Sequence, residues 1–305
     1  MTGLEVEIAG MRLRNPTILA SGVLDETGKS MLKVANAGAG ALVSKSVGLY
    51  ERQGHPNPCV AEVECGLLNA MGLPNPGVEA YAAEIAEAKK GEVPVIGSAF
   101  GVDADEIAEV AALLCAAGAD AIELNLSCPH AEGYGAEIGS DPDNVRHICE
   151  STKAKVSRPV LAKLTPNTSS ITELAIAAQD GGADGVVAIN TLKAMSICPE
   201  LRMPVLSNRV GGLSGPAVRS VGVRCVFEIF EAVDIPIIGV GGVSTARDAL
   251  EYLMAGARAV QIGTAIRSRG TDVFAEVCSG LTEFMSKNDY RSIQEMVGGA
   301  HHVTA

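Results

Sequence analysis

Eight short, almost continuously apolar runs alternate along the chain with longer Ala-rich stretches of helical period. The runs are PTILASG (16–22), ALVSKSV (41–47), VPVIGSAF (93–100), AIELNLS (121–127), PVLAKLT (159–165), GVVAINT (185–191), IPIIGVGGV (235–243) and AVQIGTAI (259–266). A strand that is apolar on both faces suits a parallel sheet, with helices on one side and a packed interior on the other. Between the runs the pattern predicts helices over 27–38, 77–90, 103–117, 141–155, 168–181, 217–232, 244–255 and 272–287. Asp103 and Asp141 can cap helix N-termini, and Pro142 fits a first helical position, where no N–H is needed. Gly118, Gly182 and Gly256 can end helices in the left-handed conformation. Strict alternation over eight units predicts an α/β fold of the (β/α)₈ TIM-barrel type, with an open Rossmann-like sheet as the runner-up. Residues 3–15 read as a short N-terminal hairpin that plugs the end of the barrel opposite the active site. Two Gly-, Pro- and Asn-rich insertions, 48–76 and 192–216, follow the second and sixth strands, the side on which long loops build an active-site rim. No linker or low-complexity tract interrupts the pattern, so residues 1–305 read as one barrel domain.

Composition narrows the class. Hydrophobic residues are 47% and charged residues 20% of the chain, the balance of a globular protein with a substantial core. Trp is absent and aromatics are 3%, so that core is built from Ala, Val, Ile and Leu. A net charge of −12 argues against nucleic acid as a partner, since a phosphate backbone needs cations in bulk. An anionic ligand must instead meet a local pocket of Lys and backbone N–H groups. The eight cysteines include no Cys-x-x-Cys pair and no short Cys/His ligand spacing, so no metal or iron–sulfur cluster is expected within this chain. MTGLEVEIAGMRLRNP has charges where a signal peptide needs an apolar run, and no stretch of about 18 apolar residues could span a bilayer. A soluble, cytoplasmic protein without a membrane association is the expectation.

In a barrel of this kind the chemistry sits at the C-terminal ends of the strands. Those ends carry Ser21, Lys45 with Ser46, Ser98, Asn125 with Ser127, Lys163 with Thr165, Asn190 with Thr191, Gly241 with Gly242, and Gly263 with Thr264. Any one of these could be a satisfied polar cap at a strand end; the whole set converging on one mouth points to a site. A Lys within an apolar strand must meet an anion or give up its proton. Lys45 and Lys163 therefore imply an anionic ligand or transition state, and the alternative for Lys163 is a structural ion pair with Glu123. The glycines that end the seventh and eighth runs suit close approach of a phosphate, which a Cβ would block. Cys128, directly after the fourth run and next to Pro129, is a candidate for proton transfer or nucleophilic attack. Neighbouring His130 could be a base in its own right or a residue of the rim.

Taken together and in this order, SKS (44–46), NAMGLPNPG (69–77), ELNLSCPH (123–130), AKLTPN (162–167), INT (189–191), GGLSGPA (211–217), GVGGV and QIGTA resemble the motif series of class 1 dihydroorotate dehydrogenases. The resemblance runs from about residue 4 to residue 286 and is highly specific as a set. The longer form SCPHAEGYG is more similar to the class 1B catalytic subunit than to the class 1A homodimer.

The resemblance implies one FMN per chain and oxidation of dihydroorotate to orotate. Cys128 is then the base that takes the proton from carbon 5 while hydride leaves carbon 6. Lys45 lies near substrate and flavin, and Lys163 near the pyrimidine side of the flavin ring. Asn69, Asn125, Asn190 and Thr191 bind the substrate with backbone groups of Ala70, Met71, Gly72 and Leu73. Ser21, Ser46, Ser98, Asn125, Ile189 and Gly215 contact FMN, whose phosphate rests on Gly241, Gly242, Gly263 and Thr264. A partner subunit with FAD and a [2Fe–2S] cluster carries electrons to NAD⁺, in a heterotetramer of two of each chain built on a homodimer of this one. His130 stands where many members have Asn, and Ser98 where bacterial relatives often have Asn, which leaves both roles in question. Close rivals are another FMN-dependent dihydropyrimidine dehydrogenase and the fumarate-linked class 1A enzyme. More distant ones are an aldolase using Lys163 and a catalytically silent barrel.

Overall fold

The computed structural model describes residues 3–126 and 138–302. Eight parallel strands close a barrel in chain order: β1 (Thr17–Leu19), β2 (Ala41–Val47), β3 (Val95–Ala99), β4 (Ala121–Asn125), β5 (Val160–Leu164), β6 (Gly185–Ala188), β7 (Ile237–Val240) and β8 (Ala257–Ile262). Around it lie α1 (Gly28–Asn36), α2 (Val78–Ala88), α3 (Ala104–Ala116), α4 (Pro142–Lys155), α5 (Ile171–Asp180), α6 (Arg219–Phe230), α7 (Ala246–Ala255), α8 (Ala265–Arg269) and α9 (Val273–Lys287). All eight predicted strands and all eight predicted helices are present. The runner-up open sheet is excluded by the closure of β8 on β1.

The helix boundaries follow the expected chemistry. Asp103 accepts from the Glu106 N–H and Asp141 from the Asp143 N–H, with Pro142 opening α4. Gly118, Gly182 and Gly256 each have φ near or above +80°, at 104°, 82° and 121°, as helix ends in that region require. The outlines are tighter than the pattern suggested. Apolar residues continue past the last ladder pair, so the run 235–243 contains a strand only over Ile237–Val240. The run 259–266 overshoots into α8, a helical turn that hydrophobic periodicity is too short to reveal.

The barrel interior is layered. At its lower end, Ile8, Met11 and Leu13 of the N-terminal hairpin (Val6–Ile8 with Met11–Leu13) pack on Ile18, Val43, Ile96, Leu161, Val187 and Ile238. The hairpin thus plugs that end. Side chains two residues apart on a strand share a face. Two residues above Ile96, Ala121, Leu161 and Ala259 stand Ser98, Glu123, Lys163 and Gln261, all buried. A polar layer therefore rests on an apolar floor. In β2 the register with β3 shifts between Val43 and Ser46. Such an irregularity breaks the strict alternation of faces, and the consecutive Lys45 and Ser46 both reach the interior cavity.

The two insertions build more than loops. Segments Val60–Val63 and Gly66–Asn69 of the first pair with Gly211–Ser214 and Leu192–Ala194 of the second in a four-stranded antiparallel sheet. This sheet rests on its own small core of Leu68, Ala70 and Leu206. It was not legible beforehand, because its strands are three or four residues long and its central pairing joins residues more than a hundred positions apart.

Candidate active site

At the C-terminal ends of the strands lies a cavity of about 890 Å³. Ser21, Lys45, Ser46, Asn125 and Lys163 reach it from β1, β2, β4 and β5 or the turns that follow them. Ile189, Asn190 and Thr191 follow β6, and Gly241, Gly242, Gly263 and Thr264 follow β7 and β8. Asn69, Met71, Gly72, Leu73 and Gly215 close it from the insertions. Of the other expected site residues, Ala70 and Ser98 stand outside the cavity lining and Cys128, like Ser127 and His130, lies outside the described residues. Ala70 is fully buried, and its N–H donates to the Cys59 carbonyl (2.8 Å), so it cannot also offer that donor to a ligand. Ser98 is fully buried as well, behind Ser46.

Ser98 takes part at one remove. Its hydroxyl bonds the Ser46 hydroxyl (2.8 Å), which also meets Ser21 (3.2 Å) and accepts from the Asn125 amide (3.1 Å). The Asn190 amide donates to the Asn125 carbonyl oxygen (3.3 Å), and the Thr191 N–H donates to Asn190 (2.8 Å). A hydrogen-bonded chain therefore crosses the barrel mouth from β3 to the end of β6. It fixes which way each amide points.

The two lysines are held differently. Lys163 donates to Glu123 Oε1 (3.0 Å) and to Gln261 Oε1 (3.1 Å), while the Gln261 amide donates to Glu123 Oε2 (2.5 Å). The structural ion pair set out as the alternative for Lys163 is thus realised, and the same lysine still borders the cavity. Lys45 lies 3.6 Å from the exposed Glu26 carboxylate. Beneath it, the buried Asp25 accepts from the Gly22 N–H and the Ser21 hydroxyl. Burial pushes the Asp25 carboxyl up, and the Lys45 charge and these hydrogen bonds pull against that shift. Tyr81 ties the two elements together, accepting from the Lys45 N–H and donating to the Asp25 carbonyl.

These supporting residues were not singled out from sequence. Asp25 and Tyr81 carry no local motif, and Gln261 opens QIGTA without a role of its own; their bonds to residues at or near the strand ends mark them. Glu123 was visible as the one acidic residue inside an apolar strand. Arg267 and Arg269 of α8 also border the cavity and were missed with that helix.

The glycine turn after β7 has two reasons to be glycine. Gly241 and Gly242 sit at φ 128° and 72°, and a Cβ on Gly242 would stand 2.7 Å from the Gly215 carbonyl oxygen. The turn needs them before any ligand does. Among the described residues no group of His, Cys, Asp or Glu could hold a metal ion.

A family model described as dihydroorotate dehydrogenase matches residues 3–285. This chain belongs to the dihydroorotate dehydrogenase family. Among its relatives are proteins of Thermoplasma acidophilum and Methanocaldococcus jannaschii, each named dihydroorotate dehydrogenase B (NAD(+)), catalytic subunit. The first is 51% identical over 300 residues, covering 98% of this chain and 99% of the relative. The second is 48% identical over 302 residues, covering 98% of each. A relative of the same name from Methanosarcina mazei is 51% identical over 298 residues, covering 97% of this chain and 95% of its own. The fold matches that of the Eimeria tenella DHODH solved with ferulenol, at TM-score 0.87 and 20% identity, over 99% of this chain and 90% of that one. Among the described residues no helix is long and apolar enough to cross a membrane.

In this dihydroorotate dehydrogenase the turn after β7 is braced by Asp248. Its carboxylate accepts from the Ser244 and Thr245 N–H groups (3.0 and 2.8 Å), completing a capping box with Thr245, and pairs with Arg219. Burial pushes this carboxyl up, but the Ser244 and Thr245 hydrogen bonds and the Arg219 charge outweigh it and leave it below its ordinary value. Asp248→Ala should therefore cost about 1–2 kcal/mol in urea unfolding at neutral pH, the range for a lost helix cap. With a lowered folded value, the contribution is fully present above about pH 3.9 and is lost as the pH falls through that lower value. Equal unfolding midpoints of the two proteins at pH 7 would remove Asp248 from this role.

Proposed function

We propose that this chain is the FMN-dependent catalytic subunit of an NAD⁺-linked dihydroorotate dehydrogenase, oxidising dihydroorotate to orotate in pyrimidine biosynthesis. The observation that carries it is one cavity bordered by both strand lysines, three asparagines and the glycine turns of β7 and β8, in a chain of this family.

The residues fit FMN on three counts. The cavity volume lies within the range of about 300–1,000 Å³ of ligand sites. The side-chain-free turn at Gly241 and Gly242 leaves backbone exposed to the cavity where a phosphate needs close approach. Two lysines offer positive charge to an anionic ligand. Gly241, Gly242, Gly263 and Thr264 would hold the phosphate, with Ser21, Ser46 and Gly215 along the remainder and Lys163 at the ring. When bound, the flavin supplies the hydride acceptor.

The chain itself supplies orientation and proton transfer. Amide side chains suit a ring carrying both imide donors and acceptors, because one amide offers both types. Asn69, Asn125 and Asn190 bind that ring, and the bond between the last two keeps their donors and acceptors in register. The Met71–Leu73 turn and Thr191 add backbone and hydroxyl groups. Cys128 takes the carbon 5 proton, so that proton and hydride leave from adjacent carbons. A second subunit carrying FAD and a [2Fe–2S] cluster receives the electrons and passes them to NAD⁺, in an assembly of two chains of each kind. The words "catalytic subunit" and "NAD(+)" in the relatives' names support a second subunit and NAD⁺ as the acceptor.

The visible spectrum tests this directly. The purified chain is expected to be yellow, and anaerobic dihydroorotate to bleach the flavin bands while dihydrouracil leaves them unchanged. A colourless protein would remove FMN, and bleaching by dihydrouracil alone would move the chain to a different dihydropyrimidine.

A further inference from the structure

Glu123, Lys163 and Gln261 form a closed ring inside the barrel. Three different strands, β4, β5 and β8, each contribute one residue. Glu123 is 0% exposed, Gln261 1% and Lys163 6%. Both oxygens of the carboxylate are engaged, one by the lysine and one by the glutamine amide. Gln261 uses its amide as donor to Glu123 and its oxygen as acceptor from Lys163. An ammonium has three donors, and two are spent within the ring.

Stability alone is a poor reason for such a ring. Taking two opposite charges out of water costs several kcal/mol per ion, and an apolar replacement of similar volume is often as stable. The layer directly below shows that replacement: Ala121, Leu161 and Ala259 stand two residues earlier on the same three strands. Of the three ring members, Lys163 and Gln261 border the cavity and Glu123 does not. The negative charge is placed behind the positive one. A fixed ammonium that faces the ligand, with its counter-charge held on the far side, acts as an oriented dipole needing no reorganisation when charge develops in front of it.

We infer that Glu123 and Gln261 are positioning residues for electron transfer: they hold the Lys163 ammonium at the cavity and set how much positive charge a bound flavin feels. This rests on the FMN reading above. Gln261 is the neutral member whose orientation is dictated from both ends. It keeps the lysine from turning wholly to the carboxylate and keeps the total charge of the ring at zero.

Two isosteric substitutions change that total in opposite directions. Glu123→Gln leaves a net positive ring, which favours the anionic reduced flavin. Gln261→Glu sets a second carboxylate beside Glu123, so one ammonium serves two carboxyl groups and less positive charge faces the flavin, which disfavours it. A neighbouring charge shifts such an equilibrium by a factor of ten or more. The midpoint potential of bound FMN, measured near pH 6, should therefore rise in Glu123→Gln and fall in Gln261→Glu. Each shift should be at least about tenfold in the reduced-to-oxidised preference, about 30 mV for a two-electron couple. The same substitutions are then made in a Lys163→Ala background. A fully buried carboxylate without its cation takes up a proton. Glu123 and Gln are then nearly equivalent in charge, so both shifts should collapse.

Opposite shifts that vanish without Lys163 support the inference. Potentials within twofold of the parent, shifts of one sign in both variants, or shifts that persist undiminished in Lys163→Ala would overturn it. If Glu123→Gln does not fold, Gln261→Glu with and without Lys163 decides alone, since it only adds an oxygen in place of an amide nitrogen. A chain that binds no FMN at all would overturn the flavin reading itself, whereas unshifted potentials in a flavin-loaded chain would overturn only the roles of Glu123 and Gln261.

Discussion

Cys128→Ala is expected to keep FMN and to be reduced by dihydroorotate about 10²–10⁴-fold more slowly, the usual contribution of a positioned general base. Cys128→Ser should be impaired less, because a hydroxyl can still accept a proton, though it is a poorer base at neutral pH. The expectation rests on the motif resemblance and on chain connectivity. Asn125 ends β4 at the cavity, and its amide is fixed by Ser46 and Asn190. Cys128 follows Asn125 by three residues in the sequence. Four of the other cysteines make poor competitors. Cys149 is buried, and burial pushes its thiol up to about 12, far from a useful base at pH 7. Burial also raises Cys115, Cys225 and Cys278. Stopped-flow reduction at 450 nm separates the outcomes: a near-normal rate in Cys128→Ala sinks the assignment, while slow reduction with full flavin occupancy supports it.

How far the sequence could be read depended on the range of the interactions involved. The barrel was legible because each βα unit carries its own signals. Asp103 caps α3 with a bond to a residue three positions on, and Gly118 ends it at φ 104°. Most of the cavity was legible for a related reason. Barrel geometry brings all strand ends to one mouth, so Lys45, Asn125, Lys163 and Asn190 could be gathered without knowing any contact. What escaped detection depends on distant pairing. The mouth sheet joins Leu68 to Leu213, and neither segment has enough length for a two-residue period to show. Gln261 reads as an ordinary polar residue in AVQIGTA until β8 closes beside β1 and brings it to Glu123 and Lys163. Ser98 shows the opposite error. It sits at a strand end like its neighbours, but the register of β2 with β3 pairs it behind Ser46. Resemblance of motifs could not indicate that difference in depth.

Where the electrons go next gives the largest contrast of all, presence against absence of turnover. The isolated chain with dihydroorotate and NAD⁺ is expected to show only background NADH formation. NAD⁺ needs a site of its own beside the reduced flavin. The sequence has no G-x-G-x-x-G opening a βαβ unit, the turn that brings backbone N–H groups to a pyrophosphate. The glycine turns after β7 and β8 already border the cavity described above, the one proposed for FMN. No cluster-binding Cys spacing occurs either, so an iron–sulfur relay from the flavin to a distant acceptor has to come from another chain. Adding a subunit that carries FAD and a [2Fe–2S] cluster should therefore switch on NADH formation at a rate that saturates with the subunit. Fumarate is the discriminating control. It is a small dicarboxylate able to enter the substrate pocket and meet the same lysines, so an enzyme of the fumarate-linked class needs no partner. Efficient fumarate reduction by the lone chain would place it in that class and overturn the partnered route. NADH formation appearing only with the second subunit, together with negligible fumarate turnover, is the expected result.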